Sequence, residues 1–256
     1  LLIDTHCHLN DQGKFASVDQ EIEFARSQGV QRMIVVGIEP IEWSRTVDLA
    51  KAHPELFCIL GWHPNHTADY SKDKLASLAT LARTPKCLAI GEIGLDYHWD
   101  YASPTIQREA LLDQLDLAQG LNLPVVFHAR EAYSDLLDVL EARPPRPYLL
   151  HCFAGDAQDA RRATALECYF GVDGPISYKK ADELRDVIRS LPQDRLVVET
   201  DAPYLTPVPF RGKPNRPGYV KNVNAALAET LGLSDADCQE LTTQNALRFF
   251  GSHLLD

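Results

Sequence analysis

Two histidines one residue apart, His6 and His8, close the apolar, β-branched opening of the chain. Side chains two apart on a strand share a face, so both imidazoles point into one space while Cys7 points away. Paired imidazoles facing one cavity can chelate a divalent cation. The same kind of side chain recurs where later apolar runs end: His63, Glu92, His128, His151 and Asp201. An isolated histidine pair is more often packed or solvated than a ligand, but repeated placement at run ends sets this one apart. Four imidazoles (His6, His8, His128, His151) and two carboxylates (Glu92, Asp201) exceed what one tetrahedral ion needs, which predicts two divalent ions sharing a ligand. Glu92 suits the shared position, having two oxygens and flanking glycines, Gly91 and Gly94, that permit close backbone approach. The bland alternative is a buried ion pair. Two such cations would lower the pKa of a bound water and offset charge developing on an attacked oxygen.

Apolar, β-branched runs at 1–9, 32–38, 56–63, 87–95, 123–130, 146–153, 166–176 and 195–200 predict eight strands. Helical patterns follow at 17–28, 43–52, 74–82, 106–119, 133–142, 157–165, 181–190, 223–231 and 234–250. Strand and helix alternating in this way predict an α/β fold, a closed parallel (β/α)8 or TIM barrel, in which catalytic groups sit at the C-terminal strand ends. An open doubly wound sheet would want a Gly-rich phosphate turn after an early strand, and His-Leu-Asn-Asp stands there instead. Without a repeat or linker, 1–256 reads as one domain, and the Pro-rich 202–217 as a long loop. By alternation, Asp4 and Glu199 should lie deeper in the same lumen, orienting ligands or, equally, closing a salt bridge at the barrel floor.

A 256-residue chain, 45% hydrophobic, can bury a large core. No apolar run approaches the roughly 20 residues of a membrane span, and no intact signal peptide is visible, so a cytoplasmic protein is expected. Six scattered cysteines form no Cys-x-x-Cys pair and read as buried, reduced thiols. A net charge of -11 argues against broad coating of nucleic acid, without excluding a local cationic site. Arg211, Lys213, Arg216 and Lys221 share one segment free of acidic residues, the candidate for such a patch, or else a solvated loop.

The stretches Asp4-Thr5-His6-Cys7-His8-Leu9, Gly61-Trp62-His63-Pro64, Gly91-Glu92-Ile93-Gly94-Leu95-Asp96-Tyr97, His151-Cys152-Phe153-Ala154-Gly155 and Glu199-Thr200-Asp201-Ala202-Pro203-Tyr204-Leu205, in this order, resemble the TatD family of metal-dependent deoxyribonucleases, within the amidohydrolase-like barrels. His-x-His alone is a weak signal; the stretches around Glu92 and Asp201 are highly specific. The resemblance runs from residue 1 to about 250 and matches least across 207–222. It implies that His6, His8, Glu92 and Asp201 hold one metal and that Glu92, His128 and His151 hold the other. It also implies action on DNA, often from an end, with magnesium for activity.

Phosphodiester hydrolysis fits that arrangement, with Asp201 orienting the nucleophilic water and accepting its proton. No serine or cysteine nucleophile is required, and no lysine ends the fourth or fifth strand to serve as a carboxylated bridge. Arg130, His63 and Tyr97 belong to segments of the active face and are the expected phosphate and base contacts. Magnesium, zinc and manganese all remain compatible with the ligand set. The expected partner is DNA, as single strands or strand ends, with no membrane and no obligate protein partner. Two other readings stand beside this one: a bimetal amidohydrolase acting on a small amide, lactone or phosphoester, and a metal- or nucleic-acid-binding protein without turnover.

Overall fold

The computed structural model describes residues 1–255; Asp256, the last residue of the expected domain, lies outside them. Eight strands alternate with helices along the chain: β1 (Leu2–Cys7), α1 (Val18–Ser27), β2 (Val30–Gly37), α2 (Pro40–Ala52), β3 (Leu56–Leu60), α3 (Lys72–Leu81), β4 (Cys87–Asp96), α4 (Pro104–Leu121), β5 (Val125–Arg130), α5 (Tyr133–Glu141), β6 (Tyr148–Leu150), α6 (Ala157–Ala165), β7 (Tyr169–Val172), α7 (Asp182–Ser190), β8 (Leu196–Val198), α8 (Val220–Leu231) and α9 (Asp235–Phe250). The strands form one sheet in sequence order, each parallel to the next, so the expected (β/α)8 barrel is the fold.

Each strand divides its side chains between two cores. Ile3, Ile34, Val36, Ile59, Ala89, Val126, Leu149 and Val197 fill the lumen, and their outward neighbours such as Met33, Val35, Cys58, Phe127 and Leu150 pack under the helices. Closure between β8 and β1 runs through residues just past β8. Asp201 N–H donates to the His6 carbonyl at 2.9 Å and His8 N–H to the Ala202 carbonyl at 2.8 Å.

Alternation fails at one expected place. The β1–β2 register slips between Asp4 and Cys7, so strict alternation no longer fixes which of these residues share a face. Its carboxylate accepts the Thr200 N–H at 2.9 Å and the Thr200 hydroxyl at 2.6 Å, which clasps the closing strands. Its Oδ1 also accepts the His6 N–H at 3.4 Å, so Asp4 ties the closing strands together beside one expected ligand, and it forms no salt bridge among the described residues. A similar slip on β4, between Ile90 and Ile93, lets Gly91 and Glu92 both face inward.

Two buried glutamines tie helix to site. Gln107 and Gln114 are seven apart on α4, hence on one face. Gln107 accepts the Asp96 N–H at 2.8 Å and donates to the Asp96 and Ala102 carbonyls, both at 2.9 Å. Gln114 accepts the Trp62 N–H at 2.7 Å and donates to the Trp62 carbonyl at 3.2 Å. Both glutamines act as substitute backbone, holding the chain immediately beside His63 and at the end of β4.

Candidate metal centre

The predicted strands overrun the observed ones where the site begins. Strand β6 stops at Leu150 and β8 at Val198, and the chain then turns through left-handed residues, Cys152 (φ 45°) and Asp201 (φ 55°). His151 and Asp201 are thereby carried over the barrel mouth instead of along its wall.

Glu92 is the hub. Its Oε2 lies 3.4 Å from His6 Nε2, while its Oε1 lies 2.9 Å from His128 Nδ1, 3.6 Å from His63 Nε2 and 3.9 Å from His151 Nε2. A β-carbon at Gly91 would sit 2.7 Å from the Val126 carbonyl oxygen, and one at Gly94 would strike the His128 carbonyl, so glycine at both positions lets β4 press against β5. Burial opposes charge on Glu92, but the charge of His151 and the hydrogen bond with His128, with the His63 and His6 imidazoles alongside, hold it well below the usual carboxylate range.

Asp201 gathers the other side. Its Oδ1 is 3.1 Å from His8 Nε2, 3.7 Å from His151 Nε2 and 3.8 Å from His6 Nε2. Against its burial, the hydrogen bond with His8 and the charge of His151 keep this carboxylate ionised. His6 is fully buried, and neither of its ring nitrogens has a hydrogen-bond partner among the described residues. Such an orphaned imidazole is costly without a further ligand.

The remaining imidazoles are oriented from behind. His151 Nδ1 lies 2.8 Å from Glu199 Oε1, an ion-pair contact that leaves Nε2 facing the cluster. His128 Nε2 lies 2.8 Å from Asp96 Oδ2 and leaves Nδ1 for Glu92. His63 Nδ1 accepts the Asn65 N–H at 3.1 Å, which points Nε2 inward. Burial and then the charge of His128 push His63 down to about 3. Burial also works against charge on His128, but its bonds with Asp96 and Glu92 win and raise it to about 9.

Three sets of donors lie within 4.8 Å of one another: His6, His8 and Glu92; His63, Glu92 and His128; and His6, His151 and Glu199. Nitrogen and oxygen donors in these sets, with the orphaned His6 nitrogens, fit divalent cations. All six residues expected as ligands therefore meet at one mouth, and His63, expected to contact substrate, joins a donor set as well.

A cavity of about 490 Å³ opens over the cluster, lined by His8, His63, Glu92, Arg130, Asp201 and Tyr204 among others. Arg130 is thus placed beside the ligands, with its guanidinium 5.6 Å from the Trp99 ring. Tyr97 does not line this cavity; its hydroxyl donates to Asp135 at 2.9 Å. The expected cationic segment is divided, since Arg216 pairs with Glu21 at 2.7 Å and lies over Phe24, leaving Arg211 on a different face. Asp96 and Tyr204 were not singled out from sequence. Strand alternation from Glu92 through Gly94 reaches Asp96, a signal that ending the strand at Leu95 concealed.

A family model described as "TatD related DNase" matches residues 3–251. The metal-dependent hydrolase YabD of Bacillus subtilis is 37% identical over 98% of this chain and 99% of its own. A protein of Erwinia tasmaniensis named 3'-5' ssDNA/RNA exonuclease TatD is 34% identical over 91% of this chain and 93% of its own. Among solved structures, the TatD homologue YjjV of Escherichia coli K12 superposes with a TM-score of 0.91 at 33% identity, covering 97% of each chain. Organophosphorus hydrolase from Deinococcus radiodurans, at a TM-score of 0.61 and 13% identity, shares the fold alone.

Proposed function

The chain belongs to the TatD-related DNase family of metal-dependent hydrolases, and from that premise we propose that it cleaves phosphodiester bonds of single-stranded DNA from an end, at a centre of two divalent cations that share Glu92. One observation carries the reading: His6 stands at one oxygen of Glu92, and His63, His128 and His151 gather at the other. A carboxylate used at both oxygens suits a bridge better than a ligand of one ion. One cation would be held by His6, His8, Glu92 and Asp201, the other by Glu92, His128 and His151, with His63 against the same oxygen. When bound, such cations supply Lewis acidity that favours ionisation of water and stabilises charge on a phosphoryl oxygen.

The chain's own groups supply the rest. Asp201, ionised and exposed to the cavity, takes up the proton of the attacking water. Arg130 reaches the cavity from the end of β5 and offers a fork of donors to phosphate oxygens. Tyr204, half exposed at the rim, presents a ring face for a base. The name of the Erwinia relative supports single strands and removal from the 3' end.

The test is hydrolysis of end-labelled single-stranded oligonucleotides by chelator-stripped protein with magnesium, manganese or zinc restored. Stepwise shortening from one end that depends on added metal is expected. Binding without products, or turnover confined to small lactones or amides, would contradict the proposal.

A further inference from the structure

Beside the catalytic cavity lies a second and larger one, of about 730 Å³, that the reaction proposed above does not use. The two share Ala154 in their lining, so they lie side by side. Its wall is built from loops far apart in sequence. Tyr178, Lys179 and Lys180 come from the connection between β7 and α7, Arg211 from the one between β8 and α8, and Ala154 and Gly155 from the one between β6 and α6.

Charge is distributed unusually here. On a chain of net charge -11, Lys179, Lys180 and Arg211 take part in no ion pair among the described residues, whereas neighbouring Arg185, Arg189, Arg195 and Arg216 are each matched by a carboxylate. Two acidic residues also line the groove. Asp156 is turned toward the start of α6, accepting the Gln158 and Asp159 N–H groups at 2.7 and 3.0 Å, and Glu183 forms no ion pair among the described residues. Three cations against two carboxylates leave the groove net positive. Its aromatic element is Tyr178, held in place by a hydroxyl bond to the Thr206 carbonyl at 3.2 Å and covered by the Arg211 guanidinium 4.1 Å from the ring centroid.

We infer that this groove carries the strand beyond the bond being cut: phosphates against Lys179, Lys180 and Arg211, and a base or sugar against Tyr178. The inference rests on the proposed nuclease reading. Unpaired cations spaced around an aromatic ring match the alternation of charge and π-face along a single strand. The volume falls within the range of pockets that enclose a ligand, and the shared lining at Ala154 sets the groove directly beside the catalytic cavity, where the strand beyond the cut bond must leave. A substrate too short to leave that cavity would not feel the groove.

Two measurements on the full-length chain test this together. In chelator, the anisotropy of fluorescent dT12 reports binding to the parent and to a K179A/K180A/R211A variant across a salt series. The variant is expected to bind at least tenfold more weakly. The slope of log affinity against log salt should shrink by about 2, since each lost phosphate contact on a single strand removes about 0.7. With metal restored, the variant should lose about tenfold in kcat/KM on dT12 while hydrolysing a thymidine dinucleotide within twofold of the parent. Unchanged affinity and salt slope, a parent that does not bind dT12, equal displacement by an acidic polypeptide, or equal loss on dinucleotide and dT12 would each overturn the groove. A parent that binds dT12 but cleaves neither substrate would refute the nuclease reading, while the binding comparison still decides the groove.

Discussion

The imidazole of His151 is held on two sides: Glu199 Oε1 stands 2.8 Å from its Nδ1, and the ring of His6 stacks on its face at a centroid separation of 3.6 Å. Glu199 is fully buried and also accepts the Cys152 N–H at 2.6 Å, so it fixes both the ring and the backbone beside it. Glu199→Gln keeps an acceptor for Cys152 but removes the charge that favours a proton on Nδ1. Metal affinity should fall about 10- to 100-fold, read by chelator competition, with little change in the unfolding midpoint of metal-free protein. Unaltered affinity would remove Glu199 from this role.

Gln107 carries a second expectation, read first in stability. Gln107→Ala leaves the Asp96 N–H, the Asp96 carbonyl and the Ala102 carbonyl without their partner. Each orphaned buried group costs about 1–3 kcal/mol, so urea denaturation should show a loss of at least about 2 kcal/mol. The released end of β4 should also lower kcat, because Asp96 then no longer steadies His128. Gln107→Glu keeps the acceptor but sets a carboxylate oxygen against the Asp96 and Ala102 carbonyls, so it should destabilise at least as much.

Metal uptake should be linked to protons through His128. Its folded value of about 9, set against burial by Asp96 and Glu92, means that the metal-free ring is charged at neutral pH. A cation taken at Nδ1 must displace that proton. Affinity should therefore rise by about tenfold per pH unit between pH 7 and 9, with proton release detectable by calorimetry in buffers of different ionisation enthalpy. Asp96→Asn should weaken this dependence by lowering the ring's value; a pH-independent affinity would contradict the assignment.

Asp173 gives a stability signature of opposite kind to a salt-bridged carboxylate. Burial, and then the charge of Glu199, raise it to about 7, and its Oδ2 has no hydrogen-bond partner among the described residues. Between about pH 4 and 7 the folded chain keeps a proton that the unfolded chain gives up, so stability falls as pH rises through that window. The full shift corresponds to about 4 kcal/mol. Denaturation of metal-free protein at pH 5 and 8 should show the loss, and Asp173→Asn should flatten it.

The barrel and its site were legible to different depths. Eight alternating runs were enough for the fold, because a parallel strand buried on both faces reads as a continuous apolar segment. His6, His8, Glu92, His128, His151 and Asp201 could be picked out because each closes such a run. Strict alternation could not give Asp4 its partner, because Thr200 lies 196 residues on and the slip between Asp4 and Cys7 is a backbone event with no residue marking it. The pairing of Arg216 with Glu21 was equally hidden: the two are brought together only when the loop after β8 returns to α1. Lys179 and Arg211 lie too far apart in sequence to suggest a common wall. Nothing in the sequence sets Gln107 and Gln114 apart from surface residues of a helix, and only packing shows them substituting for backbone.

Anomalous scattering from crystals soaked in manganese bears most directly on Glu92 as a bridge. Two peaks are predicted, one on the Oε2 side toward His6 and His8 and one on the Oε1 side toward His128, and both should vanish in Glu92→Ala while the barrel stays folded. A single peak away from Glu92, or two peaks that survive its removal, would contradict a shared carboxylate and the reaction built on it.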